Sequence, residues 1–153
     1  MKKIFMFFAA VAMTAGIASA QDINSVTEIY NNGAMELEMG NKEAALGYFQ
    51  AALTAAEELG EEGMQIAENC KNTIPVLMGS IAKDLIKAEQ FDAAIEQLNK
   101  TIEVCNTLGN TAEADECKEL IKQTLMAKGN ELINSKDFAG AIEVYNQIMA
   151  EDP

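Results

Sequence analysis

Apolar residues along this chain recur at steps of three and four from about residue 24 onward, which is the spacing of one face of an α-helix. Glycines and short polar pairs interrupt the pattern at intervals, and they divide the chain into six segments. The chain has one internal proline, Pro75, and almost no run of β-branched residues. We therefore predict an all-α protein. The predicted helices span residues 24–39, 42–59, 62–88, 91–108, 111–135 and 138–150.

One short pattern occurs three times in these segments. A small residue precedes a central alanine by twelve positions, and a large residue follows that alanine by four. The central alanines are 49 and 47 residues apart, and a period of this size indicates stacked helical hairpins. We expect the small residue to meet the central alanine where two helices cross closely. The three sets are Gly33-Ala45-Phe49, Ala82-Ala94-Leu98 and Gly129-Ala141-Tyr145.

These residues resemble the tetratricopeptide repeat, a family of stacked helix hairpins, and the longer period is similar to its variants with extended helices. Glu89 and Lys136 depart from the pattern at the turn glycine, and Thr101 and Ile148 depart at the last alanine. The resemblance covers residues 24–153 and implies a solenoid of about three hairpins, wound as a right-handed superhelix. The implied repeats lie near residues 24–60, 62–109 and 111–153. The matching residues are Gly33, Gly40, Ala45, Phe49 and Ala52; Ala82, Phe91, Ala94 and Leu98; and Gly129, Phe138, Ala141, Tyr145 and Pro153.

The resemblance also implies that a partner binds in the concave groove formed by the first helices of the hairpins. Some members hold a peptide carboxylate there with Lys, Asn and Arg, but Tyr30 and Ala34 occupy the first two places here and the chain has no Arg. A small basic spot remains at Lys83 and Lys87, unless these lysines only keep a helix soluble. The implied partner-binding residues are Tyr30, Ala34, Leu37, Lys83, Ile86, Lys87, Met126, Asn130 and Ile133, with Gly79 among them.

The first twenty residues have the pattern of a secretory signal peptide. Lys2 and Lys3 precede an apolar stretch over residues 4–17, and small residues end the segment at Ala20. We expect cleavage there, export to a bacterial periplasm or beyond, and no membrane span in the mature residues 21–153. The alternative is an uncleaved N-terminal anchor.

The charge of the chain restricts the classes of partner and chemistry. The formal net charge is −13, and no Arg or His is present, so nucleic acid and anionic membrane surfaces are poor partners. Without His, the commonest general base and metal ligand is missing. Acidic residues near Glu61 and Glu116 lie at turns and helix N-termini, where negative charge is favourable, so they do not indicate a metal site. We predict no enzyme activity, no cofactor and no metal.

Three cysteines leave two interpretations open. Cys70 and Cys117 occupy equivalent places in successive repeats, which favours small buried core residues. In an exported chain a disulfide from Cys105 to either of the other two is also permitted. With three cysteines, one thiol would then stay unpaired.

The sequence thus predicts a non-catalytic scaffold that binds a protein or an extended peptide in its helical groove. The alternative is an accessory stacking domain, or a fragment, of a larger envelope assembly. An enzyme with an unrecognised carboxylate site is the third candidate. No polar capping helix follows Met149, so we expect either a longer natural chain or packing of the last hairpin on another chain. End-to-end self-association therefore stays open.

Overall fold

A computed structural model describes residues 22–151, and within this range the chain forms helices and turns without a β-strand. The predicted all-α class is confirmed, and each predicted helix end lies within two residues of the observed one. The predicted signal peptide, residues 1–20, and Pro153 lie outside the described residues. The helices are α1 Ile23–Glu38, α2 Lys42–Glu58, a short 3-10 helix Gly60–Gly63, α3 Met64–Lys87, α4 Phe91–Leu108, α5 Thr111–Asn134 and α6 Phe138–Glu151.

Each helix packs on the next helix in the chain, and short turns make each neighbouring pair antiparallel. The first helices of the three pairs also follow one another in contact, since α1 touches α3 and α3 touches α5. Among the described residues, no Cα atom of α2 lies within 8 Å of one in α4, and the same holds for α4 and α6. The first helices therefore lie closer together than the second helices do.

The turn inside each pair has the same hydrogen-bonded cap. The Gly40 N–H donates to the Leu37 carbonyl oxygen, and the Asn41 N–H donates to that of Glu36. Equivalent bonds close the turns at Glu89 and Lys136. This cap needs a left-handed backbone, and φ is +83° at Gly40, +57° at Glu89 and +65° at Lys136. Glycine adopts that conformation freely, whereas the other two residues are strained there.

The close crossing of the helices involves a different partner from the one predicted. A Cβ added to Gly33 would lie 3.1–3.2 Å from atoms of Tyr48 and Phe49, and these atoms, not those of Ala45, are the nearest. A Cβ on Gly129 would lie 2.8 Å from Cζ of Tyr145. Helical side chains lean toward the N-terminus, so the large residue reaches back over the crossing point. The small residue thus makes room for the large side chain.

The core is built where one pair meets the next. Phe49 of α2, 2% exposed, lies in a buried cluster with Ile74 and Met78 of α3. Leu98 of α4, fully buried, lies in a second cluster with Ile121 of α5. Each of these second helices therefore buries its apolar face beneath the helix that follows it.

The strained turns generate a prediction about stability. We expect Glu89→Gly and Lys136→Gly each to raise the free energy of unfolding by about 0.5–1 kcal/mol, because relief of left-handed strain exceeds the added entropy of glycine in the unfolded chain. Urea denaturation measures the change, and the two effects should add because the turns are distant. Gly40→Ala is the matched control and should destabilise. A loss of stability in both glycine variants would contradict this account.

The junction between α2 and α3 generates a second prediction. A Cβ on Gly63 would overlap the Ala56 carbonyl group, lying 2.7 Å from its carbon, whereas a Cβ on Gly47 meets nothing within 4 Å. Gly63→Ala should therefore destabilise by about 1–3 kcal/mol through overpacking. Gly47→Ala, the same change on an exposed helix face, should stabilise by about 0.5–1 kcal/mol. Thermal and urea unfolding would test both, and equal effects would refute the packing argument.

Candidate binding groove

A groove of about 380 Å³ lies between α1 and α3, and we name it the α1–α3 groove. The groove forms because α1 and α3 contact each other without packing closely along their whole length. One lining residue comes from α1 and the rest from a single face of α3. The lining residues are Leu37, Asn72, Thr73, Val76, Leu77 and Ser80.

Helical spacing explains why these α3 residues share a face. Asn72, Val76 and Ser80 are four residues apart, so they form one row along the helix. Leu77 is buried and belongs to the core, while Val76 is 54% exposed. The Thr73 hydroxyl donates to the Asn69 carbonyl oxygen at 2.8 Å within the helix. The groove thus has an apolar floor and a rim of neutral amide and hydroxyl groups.

The groove contains no charged side chain, although the chain as a whole carries −13. The charges begin one turn further along α3. The Lys83 ammonium lies 2.6 Å from a carboxylate oxygen of Glu116 on α5, which raises the pKa of Lys83. Asp84 is bonded by Lys42 of α2, which lowers the pKa of Asp84, and Lys87 lies 3.4 Å from the same carboxylate. These exposed pairs align helices and contribute little stability individually.

A half-buried carboxyl group lies beside the Lys83 pair. Oε1 of Glu113 on α5 lies 2.5 Å from the position that a Cβ on Gly79 would take, so the glycine lets α5 approach α3 closely. Burial, followed by repulsion from Glu116, raises the pKa of Glu113, and Lys83 partly opposes the shift. The contact between α3 and α5 therefore holds a carboxyl group that is more easily protonated than an exposed one.

The residues implied by the family resemblance do not meet in one cavity. Only Leu37 lines the α1–α3 groove. Tyr30 and Ala34 pack against the first core cluster, where the Tyr30 ring centroid lies 5.3 Å from that of Phe49. Ile86 packs against the second cluster, and Lys83 and Lys87 are paired as described.

The three implied residues of α5 lie on its surface. Met126 and Ile133 are exposed, and the Oδ1 atom of Asn130 accepts a hydrogen bond of 2.8 Å from the Tyr145 hydroxyl. Asn130 thus supports the last hairpin in addition to any role toward a partner. A partner-binding role for the full set stays a prediction.

Sequence reasoning missed five of the six lining residues, those of α3 between positions 72 and 80. The signal that could have found them is the spacing from Lys87 back through Lys83 to Ser80, Val76 and Asn72, which keeps one helical face. Val76 is the most informative of them, because an exposed β-branched apolar residue interrupts an otherwise polar row.

A second groove of about 390 Å³ lies between α2 and α4 over α3, with Ile74 at its floor. Its rim includes the carboxylate of Glu103 and the hydroxyl groups of Thr54 and Thr107. It is more polar than the α1–α3 groove and is lined by second helices. The two grooves therefore open between different sets of helices.

The three cysteines are free and buried, as the core interpretation predicts, and no disulfide joins them in the structure. Burial raises the pKa of Cys70 to about 11. Burial, followed by the nearby Glu113, raises the pKa of Cys117 to about 12, and burial also raises that of Cys105. The thiols are therefore protonated and unreactive at neutral pH.

Within residues 22–151, no group of three His, Cys, Asp or Glu side chains is placed to hold a metal ion. Over the same residues, no helix combines the length and the apolar character needed to cross a membrane.

Comparison with protein-family models, with curated proteins and with solved structures finds no match to this chain.

The half-buried carboxyl group generates a prediction about pH. Because the folded-state pKa of Glu113 is raised, its stabilising contribution is complete below about pH 4 and is lost as the pH rises through the folded-state pKa. Glu113→Gln should therefore raise the free energy of unfolding by a few tenths of a kcal/mol more at pH 7 than at pH 3.5. Urea denaturation at the two pH values measures the difference. Glu119→Gln removes one charge from an exposed position of α5 and serves as control. A larger gain at pH 3.5 would contradict the sign.

Proposed function

We propose that this chain is an exported scaffold of the tetratricopeptide-repeat type that binds an extended protein segment between its first helices. Support comes from the sixteen-residue step between small and large residues, which recurs in three hairpins. The identical turns and the succession of contacts from α1 to α3 to α5 are consistent with a stacked array. A stack of this kind presents a surface for partners.

The observation that carries the proposal is the uncharged α1–α3 groove. Burial of an apolar segment in this groove is favourable, because Leu37, Val76 and Leu77 form an apolar surface. Asn72 and Ser80 can hydrogen-bond the backbone amides of an extended segment, whose own N–H and C=O groups need partners when buried. The ligand class is therefore an extended segment with small or medium apolar side chains and without charge at its centre.

Export is part of the same proposal. It depends on the pattern of Lys2, Lys3, the apolar stretch of residues 4–17 and the small residues that end at Ala20. The partner is accordingly an envelope or extracellular protein.

A second candidate function is an accessory stacking domain of a larger assembly, with no peptide ligand of its own. The observation that favours it is the apolar surface of α6, where Phe138, Ile142 and Met149 are exposed. In that case the end of the stack would carry the contact, and the α1–α3 groove would stay empty.

The two candidates predict different results in a pull-down from an envelope extract. Val76→Glu puts a carboxylate into the apolar floor, so a groove-bound partner should lose at least about tenfold in affinity. The position is 54% exposed, so the variant should fold. Partners identified by mass spectrometry would be quantified by titration.

Met64→Glu is the matched control, since Met64 is exposed outside the groove. A partner retained by Met64→Glu and lost by Val76→Glu supports groove binding. A partner unaffected by Val76→Glu but lost by Met149→Glu would replace the scaffold proposal with the stacking one.

A further inference from the structure

The groove between α2 and α4, which we name the α2–α4 groove, has apolar walls and one acidic side chain at its rim. Leu53 of α2 and Val104 of α4 form the walls and pack against the first core cluster. Ile74 of α3, 2% exposed, lies at the floor. Of the side chains that line the groove in the described part of the chain, Glu103 alone is charged, and it is exposed. A ligand there would meet an apolar surface beside one carboxylate.

Helical spacing brings the polar groups of the rim together. Gln50 and Thr54 are four residues apart on α2, and Glu103 and Thr107 are four apart on α4, so each pair lies on one helical face. The hydroxyl groups of Thr54 and Thr107 donate to carbonyl oxygens of their own helices, at 3.1 and 2.9 Å. Since their hydrogens are engaged, these hydroxyl groups offer a ligand only acceptor lone pairs. Together with the carboxylate, they favour a ligand group that donates hydrogen bonds.

The C-terminus of α4 adds negative potential at the same place. Thr107 and Leu108 line the groove and belong to the last turn of α4, which contains no basic residue and ends at Gly109. The last carbonyl groups of a helix carry partial negative charge, so a cation beside them is stabilised. The groove thus places a helix C-terminus beside the Glu103 carboxylate, and each of the two favours a cation.

The charges around the groove have the same sign. Because neighbouring helices are antiparallel, the end of α2, the short 3-10 helix and the start of α3 lie at the same end of the stack as the end of α4. Residues 57–71 of that end contain five glutamates and one lysine. This lysine, Lys71, lies 2.7 Å from Glu57, and Lys100 of α4 lies 2.6 Å from Glu96. Both ammonium groups are therefore engaged by carboxylates of their own surface, and the potential at the groove stays negative.

We propose that the α2–α4 groove is a docking site for a basic segment of a partner protein. A lysine or arginine of the segment lies beside Glu103 and the last turn of α4, and a neighbouring apolar side chain covers Leu53 and Val104. Charge complementarity selects this occupant. A second copy of the chain, with a net charge of −13, is repelled, and an uncharged segment would cover the carboxylate without pairing it. The proposal does not depend on binding in the α1–α3 groove, which contains no carboxylate.

The size of the groove limits the strength of the contact. A volume of about 390 Å³ is near the lower end of the range for ligand pockets, so the groove takes one or two side chains of a longer segment. An exposed ion pair contributes little by itself. We therefore expect a short peptide to bind with a dissociation constant of about 0.1–1 mM. Added salt should weaken this binding, because it screens the attraction between exposed charges.

A nuclear magnetic resonance titration of the nitrogen-15-labelled chain, as its host produces it, tests the proposal. The probe is a capped glycine-rich peptide with one lysine between two leucines, and matched peptides carry norleucine or glutamate in place of the lysine. The lysine peptide should shift the amide signals of Leu53, Ile74 and Val104. It should bind about two- to fivefold more tightly than the norleucine peptide, and the glutamate peptide should bind most weakly.

Two variants locate the contact. Glu103→Gln should weaken the lysine peptide about two- to fivefold and leave the norleucine peptide unchanged, whereas Glu119→Gln, on α5, should change neither. Thr54→Lys puts an ammonium group into the rim, so it should weaken the lysine peptide at least about fivefold. Thr27→Lys is its matched control and should bind as the parent chain does. Thr27 is also exposed, and its hydroxyl group makes the same kind of bond within α1, to the Ile23 carbonyl oxygen.

Four results would overturn the proposal. The first is the absence of any shift at a lysine-peptide concentration of about 5 mM. The second is equal affinity for the lysine and glutamate peptides, since charge would then not select the occupant. The third is a set of shifts at Leu37 and Val76 in place of Leu53 and Val104, which would support the α1–α3 groove instead. The fourth is binding of butylamine at the same site with the same affinity, which would make the groove a site for small cations.

Discussion

The fold depends on one contact that joins the two helices of each pair. A large side chain of the second helix lies over a residue of the first helix that has little or no side chain, as Phe49 lies over Gly33 and Tyr145 over Gly129. This fit lets the two helices approach closely enough for the short left-handed turn between them. Apolar side chains of α2 and α4 also enter the clusters formed with the helix that follows. One pair by itself would therefore leave apolar surface exposed, and the next helix covers it.

The candidate groove is a by-product of this packing. The second helix of a pair and the first helix of the next interlock through buried clusters, whereas α1 and α3 only touch. The space left between them exposes one row of α3, and its character depends on residues that the core does not constrain. Val76, Asn72 and Ser80 are such residues, and ion pairs such as Lys83 with Glu116 begin beyond them. Packing residues thus determine where a groove forms, and the free residues between them determine what it can bind.

The sequence was sufficient for the helices and insufficient for the groove, for physical reasons. Gly40 and Gly109 end helices through local backbone geometry, so their effect can be predicted from neighbouring residues alone. The partner of Gly33 depends on the direction in which a side chain leans across two helices, and spacing alone pointed to Ala45 in place of Phe49. The extent of the groove depends on how far α1 and α3 overlap, which no local pattern contains. For that reason the residues predicted on α3 began at Gly79, and the five α3 residues that line the groove were missed.

The one-sided packing of α6 also affects how the molecule opens. Among residues 22–151, unfolding α3 locally would break its packing on α1, α2, α4 and α5, whereas α6 packs on α5 alone. Local opening costs less where fewer contacts are lost, so resistance to amide exchange should be greatest in α3 and weakest in α6. The helix that has most apolar surface to bury is thus the helix that is least firmly held.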